Sequence, residues 1–268
     1  MNQTNSMEVH HPYHSGNHKK NWKEYITEFI MLFAAVTLGF FAENLREHQI
    51  EKNREIQFLQ NIHYDLEQDL KEIEIITAFN HEKQLMNDSL VMEFQTKGYQ
   101  TNLSRFYYLV KNAIIRKFFD HSSSGFTQLK NAGGLRLIED KSIIQKIIAI
   151  ENTIMIVESL QESMDQNLLL LREELNSVLD PVTNNKMNRS QNLMNRTNPY
   201  LLLRRYNYPD DPQPLTTYDR KDLGRLINLC SGPVNTTLHI NFYLEQLKKQ
   251  EAVLNEEILQ KFGNRFKD

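Results

Sequence analysis

The sequence predicts an all-α protein in which one N-terminal transmembrane helix continues into an elongated antiparallel helical bundle. The first observation is an apolar run from Phe29 to Ala42, F-I-M-L-F-A-A-V-T-L-G-F-F-A, in which only Thr37 is polar. The second is the scarcity of helix breakers: the 268 residues include 9 glycines and 7 prolines, and none lies between residues 40 and 97. The third is an apolar residue at every third or fourth position through much of the remaining chain.

The apolar run predicts a transmembrane helix over residues 22–46. A helical span needs about 20 residues. Extending the run from Tyr25 to Leu45 reaches that length and adds acids only near the ends, where side chains reach the headgroups. Trp22 and Tyr25 lie where an interfacial aromatic belt is expected. A polar tail containing His and Lys, residues 1–21, precedes the span and is predicted to be disordered.

Two other interpretations of this run stay open. A cleaved signal peptide would end after Ala42, but Phe40 would then occupy the −3 position, which favours a small residue. A core helix of a soluble protein is the second, but a helix packed at a surface would be apolar along one stripe and not on every face. The transmembrane interpretation fits the residues better than either.

The orientation of the span rests on a narrow comparison of flanking cations. Three precede it and three follow it: Lys19, Lys20, Lys23, Arg46, Lys52 and Arg54. We favour a cytoplasmic N-terminus and a periplasmic main domain, because a short basic tail resists crossing while a long domain crosses with little regard to charge. The small residues Ala35, Gly39 and Ala42 lie on one face of the span, which Glu28 and Leu32 share. They would let a second helix approach closely, or they merely reflect ordinary span composition.

Residues 47–268 form the predicted bundle. Its longest helix is expected over residues 141–180, and its antiparallel partner would be the membrane-proximal helix, with self-association through a coiled coil as the alternative. A helix is expected over residues 104–119. Gly133 and Gly134 form a structural corner, in which Gly133 takes the left-handed position that ends a short helix. A phosphate-binding interpretation of this corner lacks the P-loop spacing.

An irregular insert at about residues 182–217 follows Pro181, which ends the long helix. Its aromatic and arginine residues are candidate partner contacts: Tyr200, Arg204, Arg205, Tyr206 and Tyr208. The alternative is a loop that merely covers the bundle. Two further helices are expected over residues 218–230 and 234–262, separated by Gly232 and Pro233.

Charge and chemistry limit the possible functions. The balance of 31 basic and 34 acidic residues, a net charge of −3, argues against a nucleic-acid partner. Cys230 is the only cysteine, so no internal disulfide forms. No cofactor, metal or catalytic residue is predicted. Asp65 and Asp69 lie one turn apart but are assigned to a solvated helix face, and four histidines are expected at the surface: His63, His81, His121 and His239.

The segment from Trp22 to His48, W-K-E-Y-I-T-E-F-I-M-L-F-A-A-V-T-L-G-F-F-A-E-N-L-R-E-H, resembles an uncharacterised family of single-span membrane proteins from Bacteroidetes-type bacteria. The stretch L-K-N-A-G-G-L-R-L-I resembles the corner in the middle of that family's main domain. The resemblance covers the first 80 residues and the corner, and covers the C-terminal third poorly. It implies a membrane span and a bacterial origin, and it adds no catalytic residue.

These observations predict a non-enzymatic, membrane-anchored helical module in a bacterial inner membrane. It would act as a scaffold, a subunit of a membrane complex or a sensor-like extracytoplasmic domain. Its expected partners are the lipid bilayer and either another protein or further copies of itself. An oligomeric pore or transport-associated assembly, with Glu28 and Thr37 facing inward, is the alternative. An enzyme whose site is not apparent from the sequence is the third possibility.

Overall fold

The computed structural model describes residues 21–131, 133–192 and 202–266. Of the residues that the structure describes, 83% are helical and none lies in a strand, which confirms the all-α prediction. Its helices are α1 (Trp22–Gln95), α2 (Gly98–Thr101), α3 (Leu103–Ala113), α4 (Ser124–Asn131), α5 (Lys141–Val178), α6 (Pro181–Arg189) and α7 (Arg220–Phe262). Short 3₁₀ turns lie at Gly134–Arg136, Leu202–Arg204 and Gly263–Arg265.

The chain divides into two compact units, and the boundary between Lys52 and Asn53 falls within α1. In the first unit, α1 carries the predicted apolar run. Among the residues described, α1 is the one helix that is long and apolar enough to cross a membrane. None of the residues in its most apolar stretch is buried. Its side chains are exposed throughout residues 21–49.

The core of the second unit is built from the remainder of α1 and from α5 and α7. Each presents leucine and isoleucine at alternating spacings of three and four residues, so that one stripe of the helix is buried. On α1 this stripe includes Leu59, Ile62, Leu66, Ile73 and Ile76, all at most 1% exposed. Burial of each such side chain stabilises the fold by about 1.5–3 kcal/mol.

The helix α7 runs antiparallel to both other long helices. Lys146 and Arg225 mark its pairing with α5: Lys146 lies 2.6 Å from Glu257, and Arg225 lies 3.0 Å from Glu174. On α1, Asn80 donates to Asn241 at 2.6 Å, and His63 lies 2.6 Å from Asn255. The antiparallel partner of α5 is therefore α7, not the membrane-proximal helix, and within this unit α1 and α5 run in the same direction.

The two predictions made at Pro181 and Pro233 are wrong. The segment after Pro181 is not irregular from residue 182 onward, because Pro181 is the first residue of α6 and the Asp180 carboxylate caps it by accepting the Thr183 N–H at 2.7 Å. At Gly232 and Pro233 no break occurs, and α7 is continuous. Cys230, Pro233 and Val234 are all buried, so burial of this turn accompanies a helix that continues despite the missing N–H of Pro233.

The helix predicted over residues 104–119 ends early, at Ala113. The residues that follow cross the long helices in a non-helical conformation, with Ile115 and Phe119 buried. Side chains satisfy their backbone groups. Lys83 Nζ donates to the Ile115 carbonyl at 2.7 Å, while Gln161 both accepts from the Phe119 N–H (2.7 Å) and donates to its carbonyl (3.1 Å). We call residues 115–123 the crossing segment.

Candidate functional site

The end of the crossing segment and the start of α4 are tied to α1 by buried carboxylates. Asp65, 3% exposed, accepts the Ser124 hydroxyl at 2.8 Å and the Gly125 N–H at 2.6 Å. It thereby satisfies donors in the first turn of α4 that have no partner within the helix. Gly125 lies so close to α1 that a Cβ there would be 2.8 Å from backbone atoms of Asn61 and Ile62.

Asp69, one turn further along α1, holds the crossing segment itself. Its side chain is fully buried. One carboxylate oxygen accepts the Ser122 N–H at 2.7 Å, and the other is bonded to Nδ1 of His121. The His121 side chain is only 12% exposed. Asp69 thus orients an imidazole ring that the crossing segment brings into the interior.

Glu251 of α7 completes the site from the opposite side. It is 0% exposed, and neither of its carboxylate oxygens has a hydrogen-bond partner in the part of the chain that the structure describes. One ligand atom from each of Asp69, His121 and Glu251 lies within 4.8 Å of the other two. Burial, together with the neighbouring Asp69 carboxylate, raises the pKa of Glu251 to about 9. We call these three residues the acid–histidine cluster.

The lysines on nearby turns are paired with other acids. Lys117 of the crossing segment is bonded to Glu72, and Lys248 of α7 lies 2.9 Å from Glu74. A buried carboxylate without a partner is costly. Two carboxylates and an imidazole at this separation can share protons, or they can bind a divalent cation.

His121 also connects the cluster to the surface. It lines a recess of about 160 Å³, together with Phe126, Lys130 and Glu151, among others. Exposed residues such as Ser123 and Thr127 form part of the rim. The recess provides a route by which an ion or a proton reaches the His121 ring.

Several of these residues lie inside the protein, although the sequence predicts them at the surface. Asp65 and Asp69 were assigned to a solvated face and are buried, and His63 (9% exposed) and His121 were expected at the surface. His81 and His239 are exposed, as predicted. A signal was present in the sequence: Asp69 occupies the core position between Leu66 and Ile73 in a run of three- and four-residue spacings.

The same signal occurs on the other two long helices. Glu251 stands at the core position between Leu247 and Leu254 of α7. Gln161 stands between Val157 and Met164 of α5, and it is the residue that holds Phe119. In each of the three long helices, therefore, at least one buried polar residue occupies a position in the apolar stripe.

The predicted partner-contact residues are divided between the surface and the interior. Tyr200 lies outside the described residues, while Arg204 and Tyr208 are exposed. Tyr208 stacks on Tyr108, with ring centroids 4.0 Å apart. Arg205 is half-buried, and its Nε donates to Gln191 at 2.9 Å.

Tyr206 does not fit a partner-contact role, because it is only 5% exposed. The Asn112 side chain accepts a hydrogen bond from the Tyr206 N–H at 3.1 Å and donates one to the Tyr206 carbonyl at 3.2 Å. Lys111 Nζ lies 4.6 Å from the centroid of its ring. Tyr206 therefore fixes the loop to α3, as the covering-loop alternative requires.

The remaining predicted residues lie in the first unit and at the corner. The face of Glu28, Leu32, Ala35, Gly39 and Ala42 is exposed, and a Cβ at Gly39 would meet nothing within 4 Å. Gly133 has a φ of 63°, in the left-handed region. A Cβ at Gly134 would lie 2.9 Å from side-chain atoms of Leu129 and Phe58.

Comparisons of the chain with protein-family models, with curated proteins and with solved structures give no significant match. The resemblance to single-span bacterial proteins therefore stays a prediction, and the functional argument rests on the geometry of the chain.

Proposed function

We propose that this chain is a non-enzymatic, membrane-anchored helical module in a bacterial inner membrane. In this proposal residues 22–46 cross the bilayer, and the helices that follow form a bundle that binds another protein as a scaffold, complex subunit or sensor-like domain. The observation that carries the proposal is the exposure of the apolar run. Phe29, Phe33, Leu38, Phe40 and Phe41 are 60–73% exposed.

The exposed apolar run is stable in lipid and not in water. Leaving a large apolar side chain in water rather than in an apolar medium costs about 1.5–3 kcal/mol, and here exposed side chains follow one another around the whole helix. Lipid removes this cost, and a helix satisfies its own backbone groups in lipid. Thr37 supports the same environment, because its hydroxyl donates to the Phe33 carbonyl at 2.8 Å. That bond satisfies Thr37 without a polar pore lining.

The proposed partner surface lies in the second unit. Arg204 and Tyr208 are exposed there, and both residue types are enriched at energetic centres of interfaces. On α5, three exposed apolar residues recur along one line: Ile148 (46%), Met155 (65%) and Leu169 (58%). Both features are suited to contact with a protein.

Membrane extraction tests the anchoring. We expect the full-length chain, expressed in a bacterium, to stay in the membrane pellet after alkaline carbonate washing and to be released by detergent. A double variant, Phe33→Arg with Leu38→Arg, should weaken membrane insertion, whereas the flanking pair Glu24→Arg with Glu47→Arg should not. A wild-type chain that is monodisperse in detergent-free buffer would contradict the proposal. Mass spectrometry of the membrane-bound protein separates a span from a cleaved signal peptide, because a span retains residues 29–42.

Partner binding is tested on solubilised membranes. We expect a stoichiometric protein to co-purify with the wild type and to be reduced by Arg204→Ala with Tyr208→Ala. Tyr64→Ala, which removes an exposed tyrosine of α1, serves as the control and should keep the partner. Equal recovery from all three would show that the insert is not the contact. The protease sensitivity of the second unit in sealed, right-side-out vesicles reports its orientation, and the proposal expects periplasmic exposure.

A further inference from the structure

We propose that the acid–histidine cluster is a binding site for one divalent transition-metal ion of the zinc type, held by Asp69 from α1, His121 from the crossing segment and Glu251 from α7. This site lies within the second unit and does not depend on the anchoring role or on the proposed partner. It would fasten together three parts of the chain that are far apart in the sequence.

The Glu251 carboxyl group is buried and faces a second buried carboxyl group. Glu251 is 0% exposed, and neither of its oxygens receives a hydrogen bond from a donor group among the described residues, so the Asp69 carboxyl group is its polar neighbour. It faces another acid, Asp69, which is also 0% exposed. Two facing carboxylates buried together repel one another, so the pair is stable only with a proton or a cation between them, and a divalent cation would satisfy both carboxylates at once.

The donor atoms of the acid–histidine cluster are those of a transition-metal site. One imidazole nitrogen and two carboxylate oxygens resemble the three-ligand sets of zinc sites, in which Zn–N and Zn–O distances are about 2.0–2.2 Å. Mg²⁺ and Ca²⁺ prefer oxygen ligands alone, so the histidine favours a transition metal. Donors bound to one such ion lie about 3.4 Å apart, and the three donors already fall within 4.8 Å of one another. Small side-chain rotations therefore suffice.

A neighbouring N–H group orients one of the proposed ligands, and a recess leads from the surface to another. The Ser122 N–H donates to Asp69 at 2.7 Å and so fixes the orientation of that carboxylate, as outer-shell groups of metal sites do. His121 lines the recess of about 160 Å³ that reaches the surface. The chain thus supplies ligands, an outer shell and an entry path, which are requirements for a metal site.

The competing explanation is a shared proton. Glu251 could remain protonated and donate to Asp69, while His121 pairs with Asp69, and no metal would be needed. The two explanations predict different results for Glu251→Gln. If a metal binds, the variant loses the metal, because an amide is a poor metal ligand. If a proton is shared, the variant keeps its stability, because an amide mimics a protonated carboxyl group.

The test uses the full-length chain in detergent, purified without a histidine tag and treated with a chelator. His10, His11, His14 and His18 are replaced by Asn, so that the tail cannot bind the probe. We expect ZnCl₂ to bind with a stoichiometry of one in calorimetry, to remain at one equivalent by elemental analysis after desalting, and to raise the thermal midpoint. CoCl₂ should give the visible absorption of a low-symmetry N/O site.

Glu251→Gln and His121→Gln should each weaken Zn²⁺ binding by more than the roughly 10–100-fold that loss of an outer-shell partner costs. Their controls are Glu256→Gln and His81→Gln, which remove exposed residues of the same types and should bind Zn²⁺ as the parent does. If Glu251→Gln does not fold, Glu251→Met, which removes the carboxylate and keeps a side chain of similar length, replaces it. Absence of Zn²⁺ binding by the folded parent, or unchanged binding by both ligand variants, overturns the proposal. If the parent does not bind Zn²⁺ and the thermal midpoint of Glu251→Gln equals or exceeds that of the parent, the shared proton is the correct explanation.

Discussion

The Asp65 carboxylate accepts the backbone N–H of Gly125 at 2.6 Å, which joins the middle of α1 to the first turn of α4. The same carboxylate accepts the Ser124 hydroxyl. This pair of bonds determines where the crossing segment ends and α4 begins. It also brings His121 and Ser122 alongside Asp69, so the acid–histidine cluster depends on a helix cap that is not part of it.

We expect Asp65→Ala to lower the free energy of unfolding by about 1–3 kcal/mol, because α4 loses its cap and a buried N–H loses its acceptor. Urea denaturation of the detergent-solubilised chain, followed by circular dichroism, measures the change. Asp88→Ala removes an exposed acid of the same helix and should change stability by less than about 0.5 kcal/mol. Equal effects of the two substitutions would show that the Asp65 cap contributes nothing.

A methyl group at Gly125 is expected to disrupt the same contact. The added Cβ would lie 2.8 Å from backbone atoms of Asn61 and Ile62, and the backbone of a long helix cannot easily move away. Gly125→Ala should therefore cost about 1–3 kcal/mol. The matched control is Gly224→Ala in α7, where the nearest atom, Phe94 Cζ, is 3.8 Å from the new Cβ. It should stabilise the chain by up to about 1 kcal/mol, as thermal melts of both variants would show.

The long helices could be predicted from the sequence because their signals are local and repeated. The absence of breakers after Gly39 predicts helix from the span to about residue 96, and the structure joins it into the single helix α1, which ends at Gln95. The helix predicted over residues 141–180 is α5, which ends two residues earlier, at Val178. The left-handed Gly133 follows from the short helix before it.

The errors occur where tertiary contacts override local preference. Residues 114–119 continue a helical pattern, yet Lys83 and Gln161 satisfy the backbone of Ile115 and Phe119 in another conformation. Pro233 reads as a break, but buried neighbours keep α7 continuous. The acid–histidine cluster was missed because an acid amid polar residues was assigned to solvent, although Asp69 keeps the core spacing of Leu66 and Ile73.

Lys83 gives the chain a dependence of stability on alkaline pH. Burial, opposed in part by Cys230, lowers the pKa of Lys83 to about 8 in the folded state, from an ordinary value of 10.5. Between these pH values Lys83 is protonated in the unfolded chain and loses its proton in the folded chain, so its contribution to stability rises with pH. The full rise attributable to Lys83 is about 3 kcal/mol.

Lys83→Met should therefore reduce the gain in unfolding free energy between pH 8 and pH 10. Lys111, whose pKa is also lowered by burial to about 8, keeps part of the gain in the variant. Urea titrations at several pH values measure both curves, and Lys71→Met, at an exposed position, should follow the wild type. Parallel curves for Lys83→Met and the wild type would show that the pKa of Lys83 is not lowered in the folded state.

Gln161 is expected to be a main support of the crossing segment. Gln161→Leu would leave the N–H and the carbonyl of Phe119 buried without partners, at about 1–3 kcal/mol for each group. Hydrogen exchange should accelerate in residues 115–123 before it changes elsewhere. Gln166→Leu, on the exposed side of α5, should leave that exchange unchanged. Unaltered protection of residues 115–123 in Gln161→Leu would mean that packing of Ile115 and Phe119 alone holds the segment.

Gly39→Leu tests whether the small-residue face of the proposed span is an assembly surface. A Cβ at Gly39 would meet no atom within 4 Å, so a leucine fits within a single copy, and leucine is also the better helix former. Any loss of assembly must therefore come from contact with a second helix, whose close approach needs a small residue here. Chemical crosslinking in membranes should show an oligomer that Gly39→Leu reduces and that Ala34→Leu, on another face, retains. Because the substitution leaves the isolated helix intact, unchanged crosslinking in Gly39→Leu would assign these residues to ordinary lipid contact.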